Sequence, residues 1–124
     1  MGLEVDYFPG QMDKVAALLG GYPFDVLLGS VHWIGAWLFQ AVDWAEAQEQ
    51  WTARGVDRVW DAYTRSIEEL AGTGAVDVLA HPDVAKVAGH RPEVPDEFYD
   101  RIARAASGSF LASTGEGSIC PGRA

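Results

Sequence analysis

The chain has 124 residues, and 48% of them are hydrophobic, so it is long enough and apolar enough to fold as one domain around a core. Its formal net charge of -9 argues against binding to nucleic acid or to an acidic membrane surface, since both require a basic face. Cys120 is the single cysteine, which excludes a disulfide framework and a cysteine-based zinc site. No signal peptide or membrane span is recognisable, and we expect a cytoplasmic protein.

The first half of the chain alternates short apolar runs with a helical pattern. Residues 3–8 predict a strand that stops at the turn signal Pro9-Gly10. Apolar residues at helical spacing over 12–19 predict a helix that ends at Gly20-Gly21. The near-continuous apolar run over 24–32 is typical of a strand that is buried on both faces, as in a parallel sheet.

The second half continues this alternation. Residues 44–70 carry the longest helical pattern, and Gly55 is expected to divide it, because glycine weakens a helix interior. A strand is predicted over 76–80, a helix over 95–106 and a last strand over 109–113. The order β-α-β-α-β-α-β, with connections long enough for right-handed crossovers, predicts an α/β fold with parallel strands.

Two histidines stand where predicted strands stop. His32 ends the run over 24–32, and His81 follows the run over 76–80. Pro82 is expected to hold His81 extended. The carboxyl ends of parallel strands are where α/β proteins keep their chemistry, and imidazole is a usual ligand of catalytic divalent metals. The matching positions favour a metal site over the alternative, in which each ring merely bonds to a backbone carbonyl.

The first predicted strand supplies carboxylates. Glu4 and Asp6 have the same parity, so both side chains can point to one side. A glutamate at an interior-facing position is costly unless a cation or hydrogen bonds stabilise it, which makes Glu4 the third candidate metal ligand. For Asp6 we expect an exposed edge position. Gly29 and Ser30, just before His32, are small enough to let a strand end approach a ligand closely.

Several further residues have a structural interpretation beside a functional one. Asp83 is a candidate to hydrogen-bond a metal ligand, and equally a loop-turn residue. Trp33 directly follows His32 and is a candidate wall of a substrate pocket. The other four tryptophans indicate packing of helices against the sheet, and His90 is expected to be exposed in a polar loop. No glycine-rich phosphate loop or Gly-x-Ser-x-Gly elbow is present, so covalent catalysis has no support.

Four stretches resemble the polymerase-and-histidinol-phosphatase (PHP) superfamily, and most closely its histidinol-phosphatase branch. They are Gly-Leu-Glu-Val-Asp-Tyr at 2–7, the segment 22–33 with Gly-Ser-Val-His, Val-Trp-Asp-Ala-Tyr at 59–63, and the segment 76–86 with Leu-Ala-His-Pro-Asp. The two histidine-containing segments are the specific ones. The resemblance spans most of the chain, from residue 2 to residue 106.

The resemblance implies a distorted, TIM-like (β/α)7 barrel with two or three divalent ions at the carboxyl ends of its strands. It implies that Glu4 is a bridging metal carboxylate, that His32 and His81 are metal ligands, and that metal-bound hydroxide attacks a small phosphomonoester substrate. In this branch the reaction converts L-histidinol phosphate and water to L-histidinol and phosphate, in histidine biosynthesis. His and Glu ligands suit zinc, manganese and iron alike.

The chain departs from the family pattern at both ends. The family begins with a His-x-His strand, adds a histidine before the Glu segment and ends with Asp-x-His, and none of these is present. The sequence therefore predicts a partial barrel domain over 1–112, lacking both ends, and an unstructured tail over 113–124. A truncated gene product, or a frameshift near residue 112, would explain the pattern. Two alternatives stay open: another PHP phosphoesterase, and a catalytically dead fragment that folds with a partner.

Overall fold

A parallel sheet organises the part of the chain that the computed structural model describes, residues 1–107 and 110–111. Its strands are β1 (Gly2–Asp6), β2 (Val26–Ser30), β5 (Val78–Leu79) and β6 (Phe110–Leu111). Their spatial order is β1-β2-β5-β6, and each neighbouring pair is parallel. The four predicted strands and their direction are confirmed, although their observed bounds are shorter. Residues 109 and 112–113 of the last prediction lie outside the described residues.

Helices connect these strands as the periodicity predicted. They are α1 (Met12–Leu19), α2 (Ala45–Arg54), α3 (Val56–Thr73) and α4 (Pro95–Ser107). Gly55 separates α2 from α3 with a φ of 91°, a backbone conformation that glycine adopts without steric penalty. The predicted division of the long helical pattern at Gly55 is therefore confirmed. A short 3-10 helix over Val84–Ala88 was not predicted.

A small hairpin follows β2 and also has no counterpart among the predicted elements. Its strands are β3 (Trp33–Ile34) and β4 (Trp37–Leu38), which pair antiparallel with Trp33 opposite Leu38. Gly35 occupies the two-residue turn with a φ of 62°, which explains why a glycine stands there. The chain therefore forms a tight hairpin after His32 before it reaches α2.

The core lies between the helices and the sheet and is rich in aromatic side chains. Trp60, Tyr63, Ile67 and Leu70 of α3 are buried along one stripe of the helix. The prediction that tryptophans pack helices against the sheet is confirmed for Trp60 of α3 and for Trp51 of α2. Both side chains are fully buried. Two tryptophans differ from the prediction: Trp37 packs from strand β4, and Trp44 is exposed.

Gly29 of β2 has a packing role that differs from the one expected of it. A Cβ atom at this position would lie 2.7 Å from Cγ2 of Val76 and 3.0 Å from Cδ2 of Leu70. The backbone of β2 is therefore overlaid closely by the end of α3 and the segment that follows it. The interpretation of Gly29 as a residue that admits a ligand is wrong, because its open face is filled by these side chains.

The described architecture is a mixed α/β fold that is compatible with part of an α/β barrel, and the barrel itself stays a prediction. The predicted tail, residues 113–124, lies outside the described residues. Among the helices of the described chain, none combines the length and the apolar character needed to cross a membrane.

Candidate metal centre

Three neighbouring strands each bring one candidate side chain to the same edge of the sheet. Glu4 lies in β1, His32 follows the end of β2, and His81 follows the end of β5. Because β2 lies between β1 and β5 and all three are parallel, these positions meet in space. One potential ligand atom from each residue lies within 4.8 Å of the other two. The structure therefore brings together the three residues that the sequence singled out.

Glu4 and His81 form a direct pair across the sheet. Oε1 of Glu4 lies 2.6 Å from Nε2 of His81, and the two side chains are 46% and 36% exposed. An ionised carboxylate only accepts hydrogen bonds, so the ring nitrogen donates in this pair, and a cation bound by the two residues would displace that proton. The pair is accessible to solvent, which leaves room for a small ligand to reach it.

His32 is held by a carboxylate that the sequence did not assign to the site. Its Nδ1 lies 2.7 Å from Oδ1 of Asp6, and the fully buried Ser30 donates its hydroxyl to the same oxygen at 3.2 Å. The expectation of an exposed edge position for Asp6 is wrong in this respect, because its carboxylate is turned onto the ring. The shared parity of Glu4 and Asp6 in the sequence already indicated that both carboxylates point to the same side of the strand. The strand register, which pairs Asp6 with Ser30, then brings Asp6 close to His32.

The backbone at His81 differs from the sequence prediction. Its φ is 31°, in the left-handed region, whereas Pro82 was expected to hold it extended. Such a conformation costs a non-glycine residue roughly 1–3 kcal/mol and is concentrated at functional sites. The surrounding structure therefore fixes His81 against its local preference, and this places the ring beside Glu4.

In the part of the chain that the structure describes, the rings of His32 and His81 are not held by hydrogen bonds to the backbone. The rings contact the carboxylates of Asp6 and Glu4, and the hydroxyl of Ser30 lies 3.4 Å from Nδ1 of His32. Among the described residues, no ring nitrogen of either histidine bonds to a backbone carbonyl. Nδ1 of His81 is buried and has no hydrogen-bond partner in that part of the chain. Two imidazoles and one carboxylate form a donor set of the kind that binds catalytic divalent ions, so these residues fit a metal.

The remaining candidates lie elsewhere or have other partners. Asp83 forms an ion pair with Lys86 at the start of the 3-10 helix, which favours the turn interpretation. Trp33 lies in β3 beside His32 and is partly exposed, and its role as a pocket wall stays a prediction. His90 is not simply exposed as expected, because it is half-buried and stacks on Trp51 at 5.0 Å between ring centroids and 15° between planes.

The fold and the site together describe an α/β sheet whose edge carries a donor set suited to a divalent cation. A comparison with protein-family models finds no match to this chain. The chain is 33% identical over 99 residues to a protein of Deinococcus radiodurans named "Probable histidinol-phosphatase". The match covers 80% of this chain and 36% of that protein, so the chain spans about a third of its relative's length. This chain is therefore related in sequence to a protein named as a probable histidinol-phosphatase.

Proposed function

We propose that this chain is a divalent-metal-binding segment of a histidinol-phosphatase-type phosphomonoester hydrolase. The observation that carries the proposal is the convergence of Glu4, His32 and His81 at one sheet edge, with one ligand atom of each within 4.8 Å of the others. The relative from Deinococcus radiodurans supports the choice of a phosphatase over other metal-dependent hydrolases.

In this proposal Glu4, His32 and His81 hold the ion, and zinc, manganese and iron all suit their ligand types. Such an ion supplies Lewis-acid stabilisation of the charge that develops on a phosphoryl group. The cation is needed for a second reason, because the chain carries a formal charge of -9 and Glu4 and Asp6 both face this edge. An anionic phosphomonoester would be repelled from these carboxylates unless a positive ion stood between them.

The proposed reaction is the hydrolysis of L-histidinol phosphate to L-histidinol and phosphate. The name of the relative is what supports this substrate. We propose that the chain by itself is a slow enzyme. Glu4, His32 and His81 offer three ligands, which are enough for one ion, whereas the PHP resemblance implies a cluster of two or three ions. Uncatalysed hydrolysis of phosphomonoesters is exceptionally slow, so an incomplete cluster forfeits most of the available rate enhancement.

Calorimetric titration of the purified chain with Zn²⁺ and with Mn²⁺ tests metal binding. We expect one saturable site in the wild type and loss of that site in H32A and in H81A. H90A is the matched control, because His90 is the third histidine and stacks on Trp51 outside the candidate centre. Circular dichroism of each variant shows that it is folded. If H32A and H81A bind the ion as the wild type does, the proposed site is wrong.

A phosphate-release assay with L-histidinol phosphate tests the reaction. We expect slow turnover that depends on added metal, stops with a chelator and is lost in H32A but not in H90A. Turnover that a chelator leaves unchanged would contradict a metal-dependent mechanism. Comparison with an unrelated phosphomonoester, such as glycerol phosphate, shows whether the substrate assignment is right.

A further inference from the structure

The carboxylate of Asp6 is the structural feature of this edge that the proposed ligand set leaves without a role. Oδ1 of Asp6 lies 2.7 Å from Nδ1 of His32 and accepts a second hydrogen bond from the hydroxyl of Ser30 at 3.2 Å. Ser30 is fully buried, and its backbone carbonyl accepts from the amide of Tyr7 at 2.8 Å. Asp6 is thus anchored by the neighbouring strand and is not a freely rotating surface acid.

The hydrogen bond fixes which nitrogen of His32 carries a proton. A neutral imidazole has one donor and one acceptor nitrogen, and a carboxylate can only accept. The Asp6 contact therefore keeps the proton on Nδ1 and leaves Nε2 as the unprotonated nitrogen. Nε2 has no hydrogen-bond partner among residues 1–107, so it is the ring atom that remains available to a cation. A metal can bind only the nitrogen that has no proton.

We propose that Asp6 is a positioning residue that selects the Nδ1–H tautomer of His32 and holds its ring so that Nε2 binds the metal. The inference rests on the proposed function, since it assumes that His32 is a ligand. A carboxylate that accepts a hydrogen bond from the second ring nitrogen of a metal-binding histidine raises the basicity of the ligand and fixes the ring orientation. Removing such a carboxylate weakens metal binding roughly 10- to 100-fold. The register of β1 against β2 makes this arrangement possible, because Asp6 lies directly opposite Ser30, two residues before His32.

The first test is made on the metal-free wild-type chain and needs neither turnover nor a variant. Long-range proton–nitrogen NMR spectra of the ¹⁵N-labelled protein report the tautomer of each neutral histidine. We expect His32 to be in the Nδ1–H form. A dominant Nε2–H form would overturn the proposal, whether or not the chain binds metal.

The second test measures Zn²⁺ affinity in D6A and D6N by calorimetry. We expect D6A to bind Zn²⁺ roughly 10- to 100-fold more weakly than the wild type. Its His32 should also lose the preference for the Nδ1–H tautomer, a change that a merely structural role would not produce. D6N should retain more affinity than D6A, because the amide oxygen can still accept from Nδ1. It also serves as the readout if D6A fails to fold.

D43N is the matched control, because Asp43 is an exposed acid without a hydrogen-bond partner among the described residues, and its replacement removes the same charge. We expect it to bind Zn²⁺ as the wild type does. Wild-type affinity in D6A, or an equal loss in D43N, would overturn the positioning role. The proposed function fails separately, through wild-type affinity in H32A and H81A, so the two failures are distinguishable.

Discussion

The imidazole rings of His32 and His81 lie 5.0 Å apart, centroid to centroid, with an angle of 39° between their planes. They reach this proximity from the ends of two different strands, and each is bonded to a carboxylate of a third strand, β1. The candidate centre therefore depends on the pairing of β1, β2 and β5. Any change that shifts the register of these strands should separate the ligands.

The backbone strain at His81 is testable by comparing two substitutions that both remove the ring. Since φ is 31°, H81G should be more stable than H81A by about 1 kcal/mol, because an L residue is penalised in the left-handed region and glycine is not. Urea unfolding measures the difference. At His90, where φ is negative, the order should reverse, with H90A more stable than H90G. The same order at both positions would contradict the strain.

The close packing over Gly29 predicts that this position tolerates no side chain. G29A should destabilise the fold by about 1–3 kcal/mol, because its Cβ would collide with Val76 and Leu70. Adding V76A to G29A should recover part of the loss, which a double-mutant cycle from thermal or urea unfolding would show. Gly72 in α3 is the control, since a Cβ there meets nothing within 4 Å. G72A should leave stability unchanged or raise it by up to about 1 kcal/mol.

Arg101 should hold α4 against α3. Its Nε and Nη2 donate to the two oxygens of Glu68 at 2.7 and 3.2 Å, and its Nη1 donates to Asp61 at 2.7 Å. We expect R101M to lower the free energy of unfolding by about 1 kcal/mol, with the loss smaller at high salt. Arg65 also bonds to Asp61, but its side chain is 63% exposed, so R65M should cost about 0.5 kcal/mol or less. Equal effects of the two substitutions would be inconsistent with a two-acid clamp.

Tyr7 should make stability depend on alkaline pH. Burial and its 2.6 Å hydrogen bond to Glu69 raise the pKa of Tyr7 from 10.0 to about 12. A pKa that is higher in the folded state adds stability below the unfolded pKa, and this contribution disappears as pH rises from about 10 to about 12.

The substitution Y7F isolates this effect from the other groups that titrate in the same range. At neutral pH Y7F should be less stable than the wild type by about 1 kcal/mol, because Glu69 loses its donor. Above pH 10 the wild type should lose stability more steeply than Y7F, so the gap between them closes. Unfolding curves at several pH values measure it, and a constant gap would refute the assigned pKa shift.

Much of the architecture could be read from the sequence because it depends on local patterns. The apolar run that ends near His32, the helical periodicity on both sides of Gly55 and the turn signals after α1 each reflect short-range constraints on the backbone. The same patterns placed His32 and His81 at strand ends and Glu4 within the first strand. Parallel strands meet at their carboxyl ends, so the proximity of the two histidines followed from the topology, whereas the contact of His81 with Glu4 also depends on the backbone conformation at His81.

The tertiary structure decided what depends on contacts between distant residues. The partner of Asp6 is set by strand register, the role of Gly29 by the side chains of Val76 and Leu70, and the φ of His81 by contacts that override the preference imposed by Pro82. The stacking of His90 on Trp51 likewise depends on where the tertiary structure places the loop that carries His90. Local propensities amount to about 1 kcal/mol per residue, and packing and hydrogen bonding across the fold outweigh them at these positions.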